Sequence, residues 1–135
     1  SLKIARAVAE AGFDAIEISG GIYESPILMT IKTNINTPED EAYFLPYARM
    51  IKKVTGEIPL ILVGGIRSLE VAEGILRNGE ADFISICRPL IREPYLPKKW
   101  RKNLTYKAEC ISCNRCFWEM RDKGLRCVAL EKGEE

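Results

Sequence analysis

Histidine is absent from all 135 residues. Mechanisms that need an imidazole as base, proton shuttle or metal ligand are therefore excluded within this chain. An excess of one charge sign is missing too: twenty Lys and Arg stand against nineteen Asp and Glu, a net charge of +1. That balance leaves no electrostatic footprint for nucleic acid or an anionic membrane surface. No apolar run approaches the ~20 residues of a membrane span, and the first residues do not follow the pattern of a signal peptide. The expectation is a cytoplasmic protein with neither nucleic acid nor membrane as partner. The G-x-G-x-x-G turn of a dinucleotide fold is also lacking. What is present is an apolar fraction of 47%, too high for a disordered segment and sufficient for one globular core.

Leu2–Ala11 has helical spacing, with Ala5, Val8 and Ala9 apolar and Lys3, Arg6 and Glu10 polar, and Gly12 is a natural stop. Ser1 stands where an N-cap would. Phe13–Ser19 is rich in β-formers and ends at Gly20-Gly21. Ile22–Thr37, with Pro26, Asn34 and Asn36, has no period, and a loop of that length is a functional candidate. Thr37-Pro38-Glu39-Asp40 reads as a helix start. The main helix is expected from about Pro46 to Gly56, with Leu45, Ala48, Ile51 and Val54 inward.

Ile58–Val63 is nearly continuous apolar sequence, the pattern of a strand buried on both faces of a helix-covered parallel sheet. Ser68 is placed to cap a helix over Leu69–Asn78, with Val71, Ala72, Ile75 and Leu76 inward. Ala81–Cys87 is a third strand, after which Pro89, Pro94 and Pro97 punctuate a short segment to Trp100. Strands alternating with helices predict an α/β fold of parallel βα units.

Two features stand at the carboxyl ends of consecutive strands: Gly64-Gly65 and Cys87-Arg88. Ligands of α/β folds bind at that end. A glycine pair lets a phosphate approach backbone N–H groups without a Cβ in the way, and Arg88 can complete an anion cage. The plainer reading of either motif alone is a tight turn and a surface ion pair. Their pairing on neighbouring strands favours a ligand site.

The cysteine count is five, and four fall in one run, Cys110-x₂-Cys113-x₂-Cys116-x₁₀-Cys127. Three thiolates in one tight loop and a fourth a helix-length away suit an iron–sulfur cluster. Structural zinc prefers two separated C-x₂-C knuckles. Zinc, or unligated redox cysteines, remain the alternatives. Cys87 reads as a small packed residue, and Phe117 and Trp118 as a cover over the cysteine site or packing against the preceding α/β part.

The stretches GFDAIEISGG, YFLPYARMIKKV and VGGIRSLEVAEGILRNGEADFISICRPLIREP resemble the last third of the old yellow enzyme family barrel. Within that family the sequence resembles the branch of the NADH:flavin oxidoreductases and 2,4-dienoyl-CoA reductases. The resemblance implies a partial TIM (β/α)₈ barrel, strands six to eight, over residues 1–100, with a Cys-rich extension over residues 101–135. It implies that Gly64, Gly65, Cys87 and Arg88 hold the FMN phosphate, although many members carry Gly where Cys87 stands. Ser19, Gly20 and Gly21 would border the flavin or substrate. A 4Fe–4S cluster on Cys110, Cys113, Cys116 and Cys127 is implied likewise, although the family's second and long gaps are slightly longer. NAD(P)H would reduce FMN, and an activated alkene or a related acceptor would take the hydride.

A complete barrel needs about 250 residues. The chain is therefore expected to be the carboxyl-terminal piece of a longer oxidoreductase that lacks the preceding barrel portion, with a self-associating short protein as the alternative. No catalytic residue is assigned within it, and alone it is expected to be inactive. The rival functions are a non-catalytic zinc-binding or interaction module, and a barrel that binds a phosphorylated substrate in place of FMN.

Overall fold

The structure, a computed structural model, describes residues 2–22 and 31–133. The cap expected at Ser1 and the part of the long loop holding Tyr23 and Pro26 lie outside the described residues.

Helix α1 (Leu2–Glu10) ends before Gly12, whose φ of +82° suits a residue without a Cβ. It feeds β1 (Ile16–Ile18). Between Thr37 and α2 lies a short 3-10 turn, Pro38–Asp40, held by the Asp40 carboxylate accepting the Thr37 N–H at 2.9 Å. Helix α2 (Leu45–Thr55) leads to β2 (Leu60–Leu62), and α3 (Leu69–Arg77) leads to β3 (Phe83–Ile84). The three strands form one parallel sheet in the order β1-β2-β3. Ile16 pairs with Leu60, Ile18 with Leu62, and Leu62 with Ile84.

The strands are shorter than the apolar runs from which they were predicted. In β2 the reason is local: Pro59 has no N–H to extend the ladder, and Gly64, at φ +129°, turns the chain away.

Side chains alternate across the sheet, so Ile16, Ile18, Leu60, Leu62 and Ile84 share a face. All five belong to one core with Ala48 and Ile51 of α2 and Val71, Ala72 and Ile75 of α3. Both helices therefore cover the same side of the sheet. The other side carries the row Glu17, Ile61 and Phe83, of which Phe83 is 58% exposed. The apolar run of β2 led to the expectation of two covered faces; helices cover one. Leu76, expected inward, is exposed because it sits about 100° round α3 from Ile75, on the helix flank.

After β3 come α4 (Arg88–Arg92) and α5 (Leu96–Lys102). Leu96, Trp100 and Ala108 form a second core with Ile86, Leu90 and Tyr106 against it. The buried Glu93 carboxylate clasps this region. It accepts from Lys99 Nζ at 2.8 Å, from the Tyr106 hydroxyl at 2.6 Å and from the Glu109 N–H at 2.6 Å. The cysteine segment thus starts from an anchored point. Three single-turn helices follow, α6 (Arg115–Trp118), α7 (Met120–Lys123) and α8 (Val128–Glu131). Among the described residues no helix is long and apolar enough to cross a membrane.

Candidate functional site

The carboxyl ends of all three strands open onto one pocket of about 220 Å³. Ser19 follows β1, Gly64 and Gly65 follow β2, and Cys87 and Arg88 follow β3; all five line it. The four residues expected at the phosphate site are thus brought together, with Ser19 beside them. Gly20 and Gly21 are not part of this wall.

The glycine pair is required by backbone and by space. Gly64 and Gly65 have φ of +129° and +74°, where a Cβ is strained. A Cβ on Gly65 would stand 2.8 Å from the Tyr43 ring, and one on Gly64 3.0 Å from the Phe44 ring. The close approach that the glycines allow is taken by Tyr43, whose N–H also donates to the Gly64 carbonyl at 3.1 Å. Lys32 Nζ lies 5.1 Å from the centre of the same ring, a cation–π distance. Tyr43 was not singled out in the sequence, since an aromatic beside a helix start carries no signal of its own.

Two guanidinium groups line the pocket. Arg88 Nη1 donates to the Lys32 carbonyl at 2.7 Å and to Asn114 Oδ1. Arg67, directly after the glycine turn, is nearly buried: Nη1 donates to the Ile35 carbonyl and Nη2 to the Ala108 carbonyl at 3.0 Å. Its Nε has no hydrogen-bond partner among the described residues. The start of α3 is occupied from another element. Glu41 Oε2 accepts from the N–H groups of Arg67 and Ser68, at 2.7 and 3.0 Å, and from the Ser68 hydroxyl at 3.1 Å. Ser68 was expected to cap α3 with its hydroxyl; it stands at the N-cap position, but that hydroxyl donates to Glu41 instead of accepting a first-turn N–H.

The cysteine segment returns to this region. Ser112 lines the strand-end pocket. Cys110, Cys113, Cys116 and Cys127 all line a second, small pocket of about 20 Å³, and Arg88 belongs to the walls of both. Ser112 and Asn114 have φ of +55° and +60°, and these two left-handed residues curl the loop between successive cysteines. Burial pushes the Cys110 thiol up, and burial together with Cys110 pushes Cys116 up. At Cys113 burial acts the same way but is outweighed by Arg115, whose Nε lies 3.5 Å from the sulfur, and the thiol is held low. Among the described residues no three Cys, Asp or Glu are gathered as a single metal ion would require. All five cysteines are free thiols, and Cys87, expected as a small packed residue, is instead exposed, because it lies beyond the end of β3 at the open strand-end pocket. Phe117 and Trp118 meet edge to face at 5.1 Å, with Trp118 half exposed.

Fold and pocket define a parallel α/β unit with a cavity at the carboxyl end of its sheet, the end at which α/β folds bind ligands. No protein-family model matches the chain. An NADH-dependent flavin oxidoreductase of Talaromyces variabilis is 38% identical over 101 residues, 72% of this chain and 24% of that protein. An NADH oxidase of Thermoanaerobacter brockii is 37% identical over 133 residues, 93% of this chain and 19% of that protein. The solved structure of 6-hydroxypseudooxynicotine amine oxidase from Pseudomonas geniculata N1 matches with a TM-score of 0.56 and 33% identity, over 64% of this chain and 13% of that one. The chain spans less than a third of the length of each of these proteins. It belongs with the old yellow enzyme-like flavin oxidoreductases, as a homologue of one part of them.

Proposed function

We propose that this chain forms the phosphate-binding end of a flavin-dependent NAD(P)H oxidoreductase. Residues 1–100 would be the closing part of a (β/α)₈ barrel and residues 101–135 a cysteine-bearing extension. The observation that carries the reading is the meeting of Gly64-Gly65 and Cys87-Arg88 in one strand-end pocket. Barrel winding is supported by the sequential strand order with α2 and α3 on one face. A doubly wound sheet reverses its strand order and places helices on both faces.

The residues present suit FMN. The amides of Gly65 and Cys87, with the Arg88 guanidinium, would hold the phosphate, and Arg67 adds a second positive charge to the wall. At about 220 Å³ the pocket is smaller than the ~300–1,000 Å³ of a whole-ligand site. It suits the phosphoryl end of the nucleotide, with the ring system held by the remainder of a larger protein. Bound FMN supplies the hydride chemistry between NAD(P)H and an activated alkene or related acceptor. This chain's own part is to seat, orient and neutralise the phosphate.

Cys110, Cys113, Cys116 and Cys127 would hold a 4Fe–4S cluster. Four soft thiols line one pocket, a donor type that would suit an iron–sulfur cluster.

FMN titration of the purified chain, followed by flavin fluorescence, tests the phosphate site. Saturable binding is expected, weakened about tenfold or more in Arg88→Ala by loss of a charge-assisted contact. Equal binding by wild type and variant overturns the assignment, and a preference for a simple phosphorylated metabolite over FMN favours the substrate reading. Anaerobic reconstitution with iron and sulfide is expected to give broad visible absorption, and a colourless protein that retains only zinc overturns the cluster. No NAD(P)H oxidation is expected from the isolated chain with added FMN.

A further inference from the structure

The two pockets share more than a wall. Arg88 lines both, and its Nη1 reaches Asn114 Oδ1 on one side and the Lys32 carbonyl on the other. Asn114 lies between Cys113 and Cys116 and is 2% exposed. Its Nδ2 donates to the carbonyl of Ile31 at 3.4 Å, and Ile31 is itself in the wall of the strand-end pocket. One buried amide therefore ties two wall residues of the first pocket to the loop that carries three of the four clustered cysteines.

We infer that Asn114 is a positioning residue that couples the two pockets: an anion seated against Arg88 orders the cysteine loop, and an ordered loop prepares Arg88 for the anion. The inference rests on the phosphate reading of the strand-end pocket. A guanidinium has five donors in a rigid planar fork. Fixing one edge on an anion fixes the plane, and with it the direction from which Asn114 Oδ1 can be met. The amide of Asn114 is planar as well, so its hold on Ile31 is set in the same event. By linkage, whatever stabilisation the anion gives to the loop, the ordered loop returns to anion binding. Ser112 provides a second contact, since it lies in the same loop and lines the strand-end pocket directly.

Thiol alkylation of the metal-free full chain tests this, because a reference thiol is built in. Cys87 is exposed and belongs to the strand-end pocket, whereas Cys113 and Cys116 are partly buried in the tail loop. Rates at each cysteine are read by peptide mass spectrometry, with and without FMN, and with inorganic phosphate against chloride of equal ionic strength. Either anion is expected to slow Cys87 directly and to slow Cys113 and Cys116 about fivefold or more through Asn114. In Asn114→Gly, which accepts the left-handed backbone but has no amide, Cys87 is still protected and the tail thiols are not. In Asn114→Asp, which keeps an acceptor for Arg88, protection of the tail returns. Protection of Cys87 with unchanged rates at Cys113 and Cys116 overturns the coupling alone. Tail protection persisting in Asn114→Gly also overturns it. Absence of protection at Cys87 overturns the phosphate reading itself, and the coupling with it.

Discussion

Glu41 accepts the backbone N–H of Arg67 at 2.7 Å, and so ties the turn before α2 to the turn between β2 and α3. Its side chain is wholly buried, with Lys107 Nζ at 4.0 Å. The Gly64-Gly65 turn is therefore held from outside its own βα unit, by a residue 26 positions upstream of Arg67.

Truncation at this site is expected to be severe. Glu41→Ala leaves the N–H groups of Arg67 and Ser68 and the Ser68 hydroxyl without their acceptor. A loss of about 3 kcal/mol is expected, from buried donors left without an acceptor. Glu41→Gln keeps an acceptor of the same shape and should lose less than half of that. Urea denaturation of the three proteins checks the order, and an alanine variant as stable as wild type would contradict it.

Gly65 gives a second expectation, in which two causes can be separated. Gly65→Ala places a Cβ at φ +74°, a cost of roughly 1–2 kcal/mol. It also drives that Cβ to 2.8 Å from the Tyr43 ring. Adding Tyr43→Ala removes the clash but leaves the backbone strain. The double variant should therefore fall short of the sum of its parts, a non-additivity that a double-mutant cycle reads directly.

The contrast between what the sequence foretold and what it left out has a physical cause. Periodicity placed α1, α2, α3 and the three strands, because each element's own side chains carry its burial pattern. The strand-end pocket was legible as well, since the glycine pair after β2 reports a backbone demand locally and Arg88 after β3 brings its charge to the same strand ends. The contacts that complete the site connect distant positions: Glu41 with Ser68, Tyr43 with Gly65, Asn114 with Arg88. No local period marks such pairs. The cysteine spacing gave a tight loop but could not show that this loop returns to the β3 tip. For the same reason Ile58–Val63 showed its apolarity without showing which face a helix would cover.

Asp82 is expected to contribute to the loss of stability in acid. Its Oδ2 accepts the Leu60 N–H at 2.9 Å, and Lys52 Nζ lies 3.3 Å away. The Leu60 amide, and then Lys52, hold the Asp82 carboxyl below its ordinary value despite some opposing burial. A carboxyl whose folded pKa lies under its unfolded one stabilises the fold above about pH 4 and loses that contribution as pH falls through the folded value. Asp40 and Glu109 are lowered as well, by backbone N–H groups and by the Tyr106 hydroxyl respectively. Thermal melts from about pH 6 to pH 2.5 should show a steep acid limb. Asp82→Asn should make that limb shallower while lowering stability at neutral pH; an unchanged limb would remove Asp82 from the account.

Phe83 tests the barrel reading through the uncovered side of the sheet. It stands in the row Glu17, Ile61, Phe83, opposite the face covered by α2 and α3, and is 58% exposed. In the isolated chain Phe83→Lys is a surface change, so stability should move by no more than about 0.5 kcal/mol. Self-association measured by sedimentation should fall, because an exposed aromatic on an open sheet is a contact surface. In a longer protein whose barrel closes over this face, the same lysine would be buried without a partner. There the loss should reach several kcal/mol, about the cost of placing an unpaired polar head in an apolar interior. Equal tolerance of Phe83→Lys in the short chain and in a full-length oxidoreductase would mean that no barrel interior forms at this row.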